Sequence, residues 1–311
     1  MPRIVIPDDE PAVMAPSAAY RRLSAHNVGL YADRPATSDE LAARIRDAEI
    51  VINIRSTSKF TAEVLEACSR LQLISIWGTG TDNVDLDAAK SRGVRVTNTP
   101  GVSAIAVAEH TLALILAVAK QIVTVDRQVR HGEWPRAMVP QLRGKVLGLI
   151  GTGAIGREVA KLGRAIGMQV IAWTFHPGGD IAEWVELEDV FRKSDVVSIH
   201  VRQSSDTAGL IRREHFEMME PGAIFINTAR GAIVNESDLI EALRTKRIAA
   251  AGLDVFEHEP LRPDSPLHAL PNVVLTPHAA GITPETTEAG LALALDNVFA
   301  FLSGRPTNVV V

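Results

Sequence analysis

The stretch Lys145–Gly167, KVLGLIGTGAIGREVAKLGRAIG, constrains the fold of this 311-residue chain more than any other. It opens with the apolar run Val146–Ile150, which has the length of a buried parallel strand. A G-x-G-x-x-G pattern follows at residues 151–156, and the next residues carry apolar side chains at helical spacing. A second apolar run at Gln169–Trp173 completes a predicted β-α-β unit.

The three glycines of this pattern predict a dinucleotide site. Gly151 permits a tight turn out of the strand, Gly153 lets the backbone approach a pyrophosphate, and Gly156 lets helix and strand pack closely. The helix N-terminus then offers N–H groups and the positive end of its dipole to the anion. The alternative interpretation is a tight strand-to-helix turn without a ligand, but the flanking strands favour dinucleotide binding.

Composition excludes several other classes of protein. A net charge of −5 and a pI of about 6.0 argue against nucleic-acid or membrane-surface partners. The single cysteine, Cys68, excludes an internal disulfide framework, and no Cys/His cluster has metal-ligand spacing. The N-terminus lacks an apolar signal core, and the longest apolar stretch, Thr111–Ala119, is too short to span a bilayer. We therefore expect a cytoplasmic protein without a metal.

Predicted strands alternate with predicted helices over most of the chain, which indicates an α/β fold with two doubly wound parallel sheets. The strands expected before the dinucleotide motif are Arg3–Pro7, Asn27–Tyr31, Glu49–Ile54, Gln72–Trp77 and Val94–Thr97. Those expected after it are Asp195–His200, Ala223–Asn227, Ile248–Leu253 and Asn272–Leu275. The helices expected outside the motif include Asp39–Ala48 with Ser38 as N-cap, Ser103–Gln121, Leu187–Lys193, Glu236–Arg244 and Pro284–Leu302 with Gly304 as C-cap. The helix Ser103–Gln121 is apolar on nearly all sides, which predicts burial between domains or at a subunit interface.

Three residues with acid–base or anion-binding chemistry follow the last predicted strands: Arg230, Glu259 and His278. Ligands of open α/β sheets bind at the carboxyl ends of the strands. Reduction of a 2-keto acid needs a cation for the carboxylate and an acid for the developing alkoxide, which arginine and a carboxylate-paired histidine supply. Taken singly, Arg230 is better explained as a surface ion-pair partner, Glu259 as a solvated charge and His278 as a core histidine. Their joint placement after three strands reverses that preference and favours a catalytic site.

Several motifs resemble those of one known family. Around the three residues they are NTARG (Asn227–Gly231), GLDVFEHEP (Gly252–Pro260) and TPHAAGIT (Thr276–Thr283). Nearer the N-terminus they are IRSTSKFTAEVL (Ile54–Leu65), GTGTDNVDLDAA (Gly78–Ala89) and VAEHTLALIL (Val107–Leu116). The chain is thus similar to D-isomer-specific 2-hydroxyacid dehydrogenases, particularly the phosphoglycerate dehydrogenase-like branch.

The resemblance implies a domain arrangement and an assembly. A Rossmann NAD(P)-binding domain, residues 99–281, is expected to be inserted into a flavodoxin-like substrate domain made of residues 1–98 and 282–311. Members of the family are usually dimers through the nucleotide domain, which suits the apolar helix Ser103–Gln121.

The resemblance also implies roles for individual residues. Arg230 would orient the substrate, His278 would act as acid and base, and Glu259 would be its partner. The predicted cofactor contacts are Gly151, Gly153, Ala154, Ile155, Gly156, Thr174, His200, Val201, Thr207, Thr228, Ala229, His278 and Asp254, the last at the nicotinamide amide. The predicted substrate contacts are Arg55, Ser56, Gly78, Thr79, Gly80 and Arg230, with a phosphate or a carboxylate as the group bound at Arg55.

Three positions depart from the family pattern. Ser103 stands where Asn is frequent, Arg202 where Pro is usual, and Thr174 where NAD-specific members carry Asp. Because no carboxylate follows the second strand of the motif until Asp180, either NAD or NADP fits as cofactor, with weak discrimination between them.

Three functions compete on this sequence. The favoured one is hydride transfer between a nicotinamide cofactor and a small D-2-hydroxy acid, such as 3-phosphoglycerate/phosphohydroxypyruvate or glyoxylate/hydroxypyruvate. The pairing of Glu259 with His278 argues against formate oxidation on the same scaffold, because that reaction needs no proton on a substrate carbonyl. The third is a non-catalytic NAD(H)-sensing protein, which can retain the same three residues.

Overall fold

A computed structural model of the chain describes residues 1–55, 57–136 and 138–311. Its contacts separate two compact units, Met1–Ser103 together with Ile282–Val311, and Ala104–Gly281. Residues 99–103, which the sequence assigned to the second domain, therefore lie in the first unit. Thr99 accounts for this, because its N–H donates to the Gly78 carbonyl at 3.0 Å and its hydroxyl accepts from the Gly78 N–H at 2.7 Å.

The first unit contains a five-stranded parallel sheet in the order β2-β1-β3-β4-β5. Its strands are Arg3–Ile6 (β1), Asn27–Leu30 (β2), Ile50–Asn53 (β3), Leu73–Ile76 (β4) and Arg95–Thr97 (β5). Its helices before the second unit are Ala18–Arg21 (α1), Ser38–Ile45 (α2), Ala62–Glu66 (α3) and Leu86–Ser91 (α4). The central strands β3 and β4 are buried along their whole length, as their apolar sequences IVIN and LISI require.

The predicted start of α2 is wrong by one residue. Thr37, not Ser38, is the N-cap, because Thr37 is extended and its side chain accepts from the Glu40 N–H. The helix also ends at Ile45 rather than Ala48.

The second unit contains a seven-stranded parallel sheet in the order β12-β11-β10-β9-β6-β7-β8. Its strands are Val146–Ile150 (β6), Gln169–Trp173 (β7), Glu183–Trp184 (β8), Val196–Ile199 (β9), Ile224–Asn227 (β10), Ala250–Leu253 (β11) and Val273–Leu275 (β12). Its helices are Ala104–Ala119 (α5), Ile122–Arg130 (α6), Ala154–Ala165 (α7), Leu187–Lys193 (α8), Arg213–Met218 (α9) and Glu236–Arg244 (α10). The predicted α/β class with two doubly wound parallel sheets is confirmed.

The short strand β8 and the helix α6 of the second unit were not predicted. Strand β8 has only two residues, too few for an alternation to be visible. Helix α6 follows Gln121, whose left-handed φ of 53° ends the continuous helical run, and none of its residues is buried. Helix α5 packs against α7, β10 and β11, so much of its apolar surface is covered inside the second unit.

The C-terminal helix, Pro284–Leu302 (α11), packs on β4 of the first unit. Gly290 lies under Trp77, where a β-carbon would come within 2.0 Å of the indole nitrogen, so only glycine fits. The predicted C-cap is wrong by one residue: Ser303, not Gly304, is the C-cap, and Gly304 takes the next position with a φ of 75°.

Among the described residues, no single helix is both long enough and apolar enough to cross a bilayer. Helices α5 and α6 reach that length and hydropathy only as a pair, and they bend by 58° at their break.

Candidate active site

The turn between β6 and α7 is built on close backbone contacts. Gly151 has a φ of 100°, and a β-carbon on it would lie 2.6 Å from the Val201 nitrogen. A β-carbon on Gly156 would lie 2.2 Å from the Gly151 carbonyl oxygen. Gly151 therefore lets the turn lie against the residues that follow β9, and Gly156 lets the start of α7 pack closely on the end of β6.

Gly153 differs from the other two because a β-carbon there would meet nothing within 4 Å. It is the N-cap of the twelve-residue helix α7, and no side chain caps that end. Gly153 and Ala154 are exposed and Ile155 is half-buried, so this end of the helix is accessible to solvent. The open space and the uncapped helix end fit a dinucleotide pyrophosphate.

Two residues after β9 have well-defined surroundings. Burial lowers the pKa of His200 to about 3, so its imidazole is neutral. Its Nε2 lies 2.9 Å from the Ser198 hydroxyl, and its buried Nδ1 has no partner among the described residues. Thr207 is buried and donates to the Arg202 carbonyl at 2.7 Å, which closes the loop after Val201.

The end of β7 carries an aromatic pair rather than a carboxylate. The rings of Trp173 and Phe175 lie edge to face with centroids 4.8 Å apart, and Phe175 is half-exposed. Thr174 between them is half-buried, and His176 after them is exposed. The site therefore offers a hydroxyl and a ring, but no fixed negative charge, at the position that normally selects the cofactor.

Glu259 and His278 are in direct contact. Glu259 Oε2 lies 2.6 Å from His278 Nδ1, and each side chain is about one-third exposed. Burial by itself would raise the pKa of Glu259, but the hydrogen bond and charge of His278, the Phe256 N–H and the charge of Arg230 lower it overall. The pair thus presents an ionised carboxylate to one nitrogen of the imidazole.

Arg230 extends from a loop organised by Asn227. The Asn227 amide donates to the Arg230 carbonyl at 3.0 Å and accepts from the Ala229 N–H at 3.0 Å, and the Arg230 guanidinium donates to the Ala229 carbonyl. Strands β10, β11 and β12 are parallel neighbours, so the segments that follow them and carry Arg230, Glu259 and His278 leave the second sheet at the same edge.

Asp254 is fully buried and accepts three hydrogen bonds from the segment after β12. Its Oδ1 accepts from the Thr276 hydroxyl at 2.6 Å and from the Ala279 N–H at 2.9 Å, and its Oδ2 accepts from the Ala280 N–H at 2.9 Å. His278 itself has a φ of 52° and donates its N–H to the Asp254 carbonyl at 2.7 Å. Asp254 therefore shapes the backbone that carries His278.

The predicted substrate contacts Arg55, Gly78, Thr79 and Gly80 lie in the first unit, whereas Ser56 lies outside the described residues. Burial lowers the pKa of Arg55 against the opposing charges of nearby Asp8 and Asp9, and its guanidinium donates to the Pro11 carbonyl. The Gly78 N–H, predicted to face an anion, donates instead to Thr99.

Four residues that support the site were not predicted from the sequence: His110, Thr111, Thr276 and Gly231. The first three act through hydroxyl and imidazole contacts between distant segments, which leave no periodic signal. Gly231 could have been predicted to support the site, because it directly follows Arg230 in the NTARG motif. No group of three His, Cys, Asp or Glu side chains within residues 1–55, 57–136 and 138–311 is placed to hold a metal ion.

The parallel sheet, the glycine turn and the acid–base pair together define a nicotinamide-dependent oxidoreductase. The family model for the D-isomer specific 2-hydroxyacid dehydrogenase NAD binding domain matches residues 112–280. The chain is 41% identical over 292 residues to glyoxylate reductase of Aeropyrum pernix, covering 89% of this chain and 87% of that protein. It therefore belongs to the D-isomer-specific 2-hydroxyacid dehydrogenase family, as its motifs predicted.

Two further comparisons bear on activity and cofactor. D-3-phosphoglycerate dehydrogenase of Archaeoglobus fulgidus is 42% identical over 268 residues, which are 84% of this chain but 51% of that protein. The structure of an acyclic imino acid reductase in complex with NADPH and D-Arg superposes with a TM-score of 0.92 at 30% identity, covering 99% of this chain and 100% of that one. The chain is thus an NAD(P)-dependent enzyme acting on small hydroxy or keto acids.

Proposed function

We propose that this enzyme reduces an unphosphorylated 2-keto acid, glyoxylate or hydroxypyruvate, to the corresponding hydroxy acid. The observation that carries the proposal is the 2.6 Å contact between Glu259 and His278 beside the charge of Arg230. Bound NAD(P)H supplies the hydride for such a reduction. The chain itself must bind the carboxylate and deliver one proton.

The three side chains divide these tasks. The planar guanidinium of Arg230 binds the substrate carboxylate and polarises the carbonyl next to it. Glu259 occupies Nδ1 of His278, which leaves Nε2 to give its proton to the carbonyl oxygen as the alkoxide forms. We assign cofactor binding to the open end of α7 at Gly153 and to the residues after β7, β9, β10 and β11 named above.

The preference for an unphosphorylated substrate comes from the surroundings of Arg55, our proposed contact for the distal end of the substrate. Asp8, Asp9 and Glu10 all act on the charge of Arg55, and Arg34 adds a second cation. Because these groups comprise three carboxylates and two arginines, we infer that the potential beside Arg55 is negative. A phosphate dianion would be repelled there, whereas an aldehyde hydrogen or a hydroxymethyl group would not.

Steady-state oxidation of NADH and NADPH against glyoxylate, hydroxypyruvate and phosphohydroxypyruvate tests the proposal. We expect higher kcat/KM with the two unphosphorylated acids than with the phosphorylated one. A gain in kcat/KM on adding the phosphate would reverse the substrate assignment. Absence of turnover with every keto acid, with NADH binding intact, would favour the NAD(H)-sensing alternative.

We also propose that the enzyme is a cytoplasmic homodimer. Helix α6 exposes Ile122, Val123 and Val129, and none of its residues is buried. A cavity of about 780 Å³ in the second unit is lined by the end of α5, the start of α6 and the amino ends of several strands. These apolar features support a partner subunit on this face. The one cysteine, Cys68, is buried and free, which suits a reducing compartment.

Light scattering on the purified enzyme tests the assembly. We expect the mass of a dimer, and we expect Val123→Glu to shift it toward a monomer because a charge would be buried at the contact. Glu133→Gln, a change at an exposed residue nearby, is the control. A wild-type monomer at assay concentration would contradict the homodimer.

A further inference from the structure

One residue of helix α5, His110, contacts the segment that carries His278. His110 Nε2 lies 3.0 Å from the Thr276 hydroxyl and 3.6 Å from Asp254 Oδ1. Thr276 in turn lies 2.6 Å from the same Asp254 oxygen. Since Asp254 also accepts the backbone N–H groups of His278 and of the two residues after it, a chain of contacts runs from α5 to the residue proposed as the acid.

The direction of the hydrogen bonds in this chain follows from the available protons. The Asp254 carboxylate already accepts two backbone N–H groups, so Thr276 donates its one hydroxyl proton to it. The Thr276 oxygen is then left as an acceptor, and His110 must donate from Nε2. His110 therefore donates a hydrogen bond through Nε2, and its ring does more than occupy space on the helix surface.

The backbone of His278 needs such support. Its φ of 52° lies in the left-handed region, which costs energy for a residue other than glycine. The Asp254 carbonyl accepts the His278 N–H, and the Asp254 side chain accepts the next two N–H groups. A shift of the Asp254 side chain would therefore turn the imidazole away from its position.

The next residue of the helix, Thr111, contacts the other catalytic loop. Its buried hydroxyl donates to the Val107 carbonyl at 2.7 Å, so its oxygen is free to accept from the Thr228 hydroxyl 2.9 Å away. Thr228 stands two residues before Arg230, in the loop that Asn227 organises. Adjacent residues of one helix thus hold the two loops that carry the proposed acid and the proposed substrate cation.

We propose that His110 and Thr111 are positioning residues: His110 sets the proton-donating loop of His278, and Thr111 sets the carboxylate-binding loop of Arg230. The inference rests on the proposed roles of His278 and Arg230. It assigns different kinetic consequences to two neighbouring side chains, which a general stabilising role of α5 would not produce.

Paired variants at each position test the proposal. His110→Phe keeps a ring but removes the donor, and we expect kcat to fall by about 10- to 100-fold with little change in keto-acid KM or NADH affinity. His110→Gln keeps an N–H donor and should recover most of the rate. Thr111→Val should instead raise the keto-acid KM, and Thr111→Ser should restore it. His268→Phe, which removes an exposed histidine bonded to the Arg262 carbonyl, is the control and should behave as wild type.

A double-mutant cycle tests whether His110 acts through Thr276. If it does, adding His110→Phe to Thr276→Val should cost little beyond Thr276→Val alone. Additive losses would overturn the chain of contacts. Equal impairment in His110→Phe and His110→Gln, or identical kinetic signatures at His110 and Thr111, would overturn the assignment of separate loops.

Measurements on His278→Ala and Arg230→Lys separate this inference from the proposed function. If both retain wild-type kinetics, the proposed catalytic roles fail and this inference fails with them. If both lose activity while His110→Phe and Thr111→Val do not, only the positioning roles are wrong. Thermal midpoints and NADH fluorescence titrations identify any variant that loses activity by unfolding. For such a variant, the activity of His110→Gln or Thr111→Ser decides whether the positioning role holds.

Discussion

The backbone of Gly231 lies directly against that of Phe256. A β-carbon on Gly231 would come within 2.0 Å of the Phe256 carbonyl carbon and 2.4 Å of the Glu257 nitrogen. This close approach joins the loop that carries Arg230 to the loop that carries Glu259. The loops of Arg230 and Glu259 can therefore lie this close only because residue 231 has no β-carbon.

Gly231→Ala should accordingly destabilise the enzyme and reduce its rate. The atoms in the way belong to backbone, which cannot move as a side chain does, so we expect a loss of about 1–3 kcal/mol in the free energy of unfolding. Denaturant titration and kcat/KM measure the two effects. Gly222→Ala is the control, since a β-carbon there meets nothing within 4 Å, and it should stay within about 0.5 kcal/mol of wild type. A Gly231→Ala enzyme as stable and active as wild type would show that the two loops are not in contact.

Glu259→Gln should lower the rate of keto-acid reduction. Glu259 Oε2 lies 2.6 Å from His278 Nδ1, and this contact holds the ring so that Nε2 is left for the substrate. A neutral amide holds the ring less strongly, because a hydrogen bond to a charged group is worth about 1.5–3 kcal/mol, so we expect kcat to fall by about tenfold or more. His278→Ala should lose about 10²–10⁴-fold in turnover. A wild-type kcat in Glu259→Gln would remove the carboxylate from the mechanism.

The same carboxylate makes a pH-dependent contribution to stability. Folding lowers the pKa of Glu259 below its ordinary value of 4.5, so the native state is favoured above that pH. The contribution disappears as the pH falls through the lowered native value. Unfolding titrations above and below pH 4.5 should therefore show a smaller acid-induced loss of stability in Glu259→Gln than in wild type. An identical loss in both proteins would mean that other carboxylates account for the acid sensitivity.

Much of this site was predictable because strand ends align. The residues after the parallel strands β10, β11 and β12 lie at one edge of the sheet, so Arg230, Glu259 and His278 could be grouped from the sequence. The supporting contacts were not predictable, because His110 and Thr276 are 166 residues apart and meet through one hydroxyl. Helix α6 was missed for a different reason: a single left-handed residue, Gln121, separates it from α5.

Arg230→Lys should impair substrate binding without affecting the cofactor. Lysine keeps the charge but loses the planar pair of N–H donors, and a hydrogen bond to a charged group is worth about 1.5–3 kcal/mol. We therefore expect a loss of about tenfold or more in keto-acid kcat/KM, with the NADH dissociation constant nearly unchanged. Arg262→Lys, a change at an arginine whose exposed side chain lies near Asp264, is the control. Wild-type kcat/KM in Arg230→Lys would make Arg230 a structural residue.

The choice of cofactor should depend on the missing carboxylate after β7. Thr174 is half-buried there, and its hydroxyl can bond either a ribose hydroxyl or an oxygen of the 2′-phosphate. Phe175 and His176 beside it are exposed and carry no fixed charge, so neither NADH nor NADPH is strongly excluded. We expect wild type to use both cofactors with a kcat/KM ratio below about a hundredfold, which corresponds to roughly 2.7 kcal/mol.

Thr174→Asp should produce a marked preference for NADH by placing a charge against the 2′-phosphate. Ser69→Asp adds the same charge at an exposed site in the first unit and should leave the ratio unchanged. A strong wild-type preference, or a Thr174→Asp enzyme with the wild-type ratio, would show that residues other than Thr174 select the cofactor.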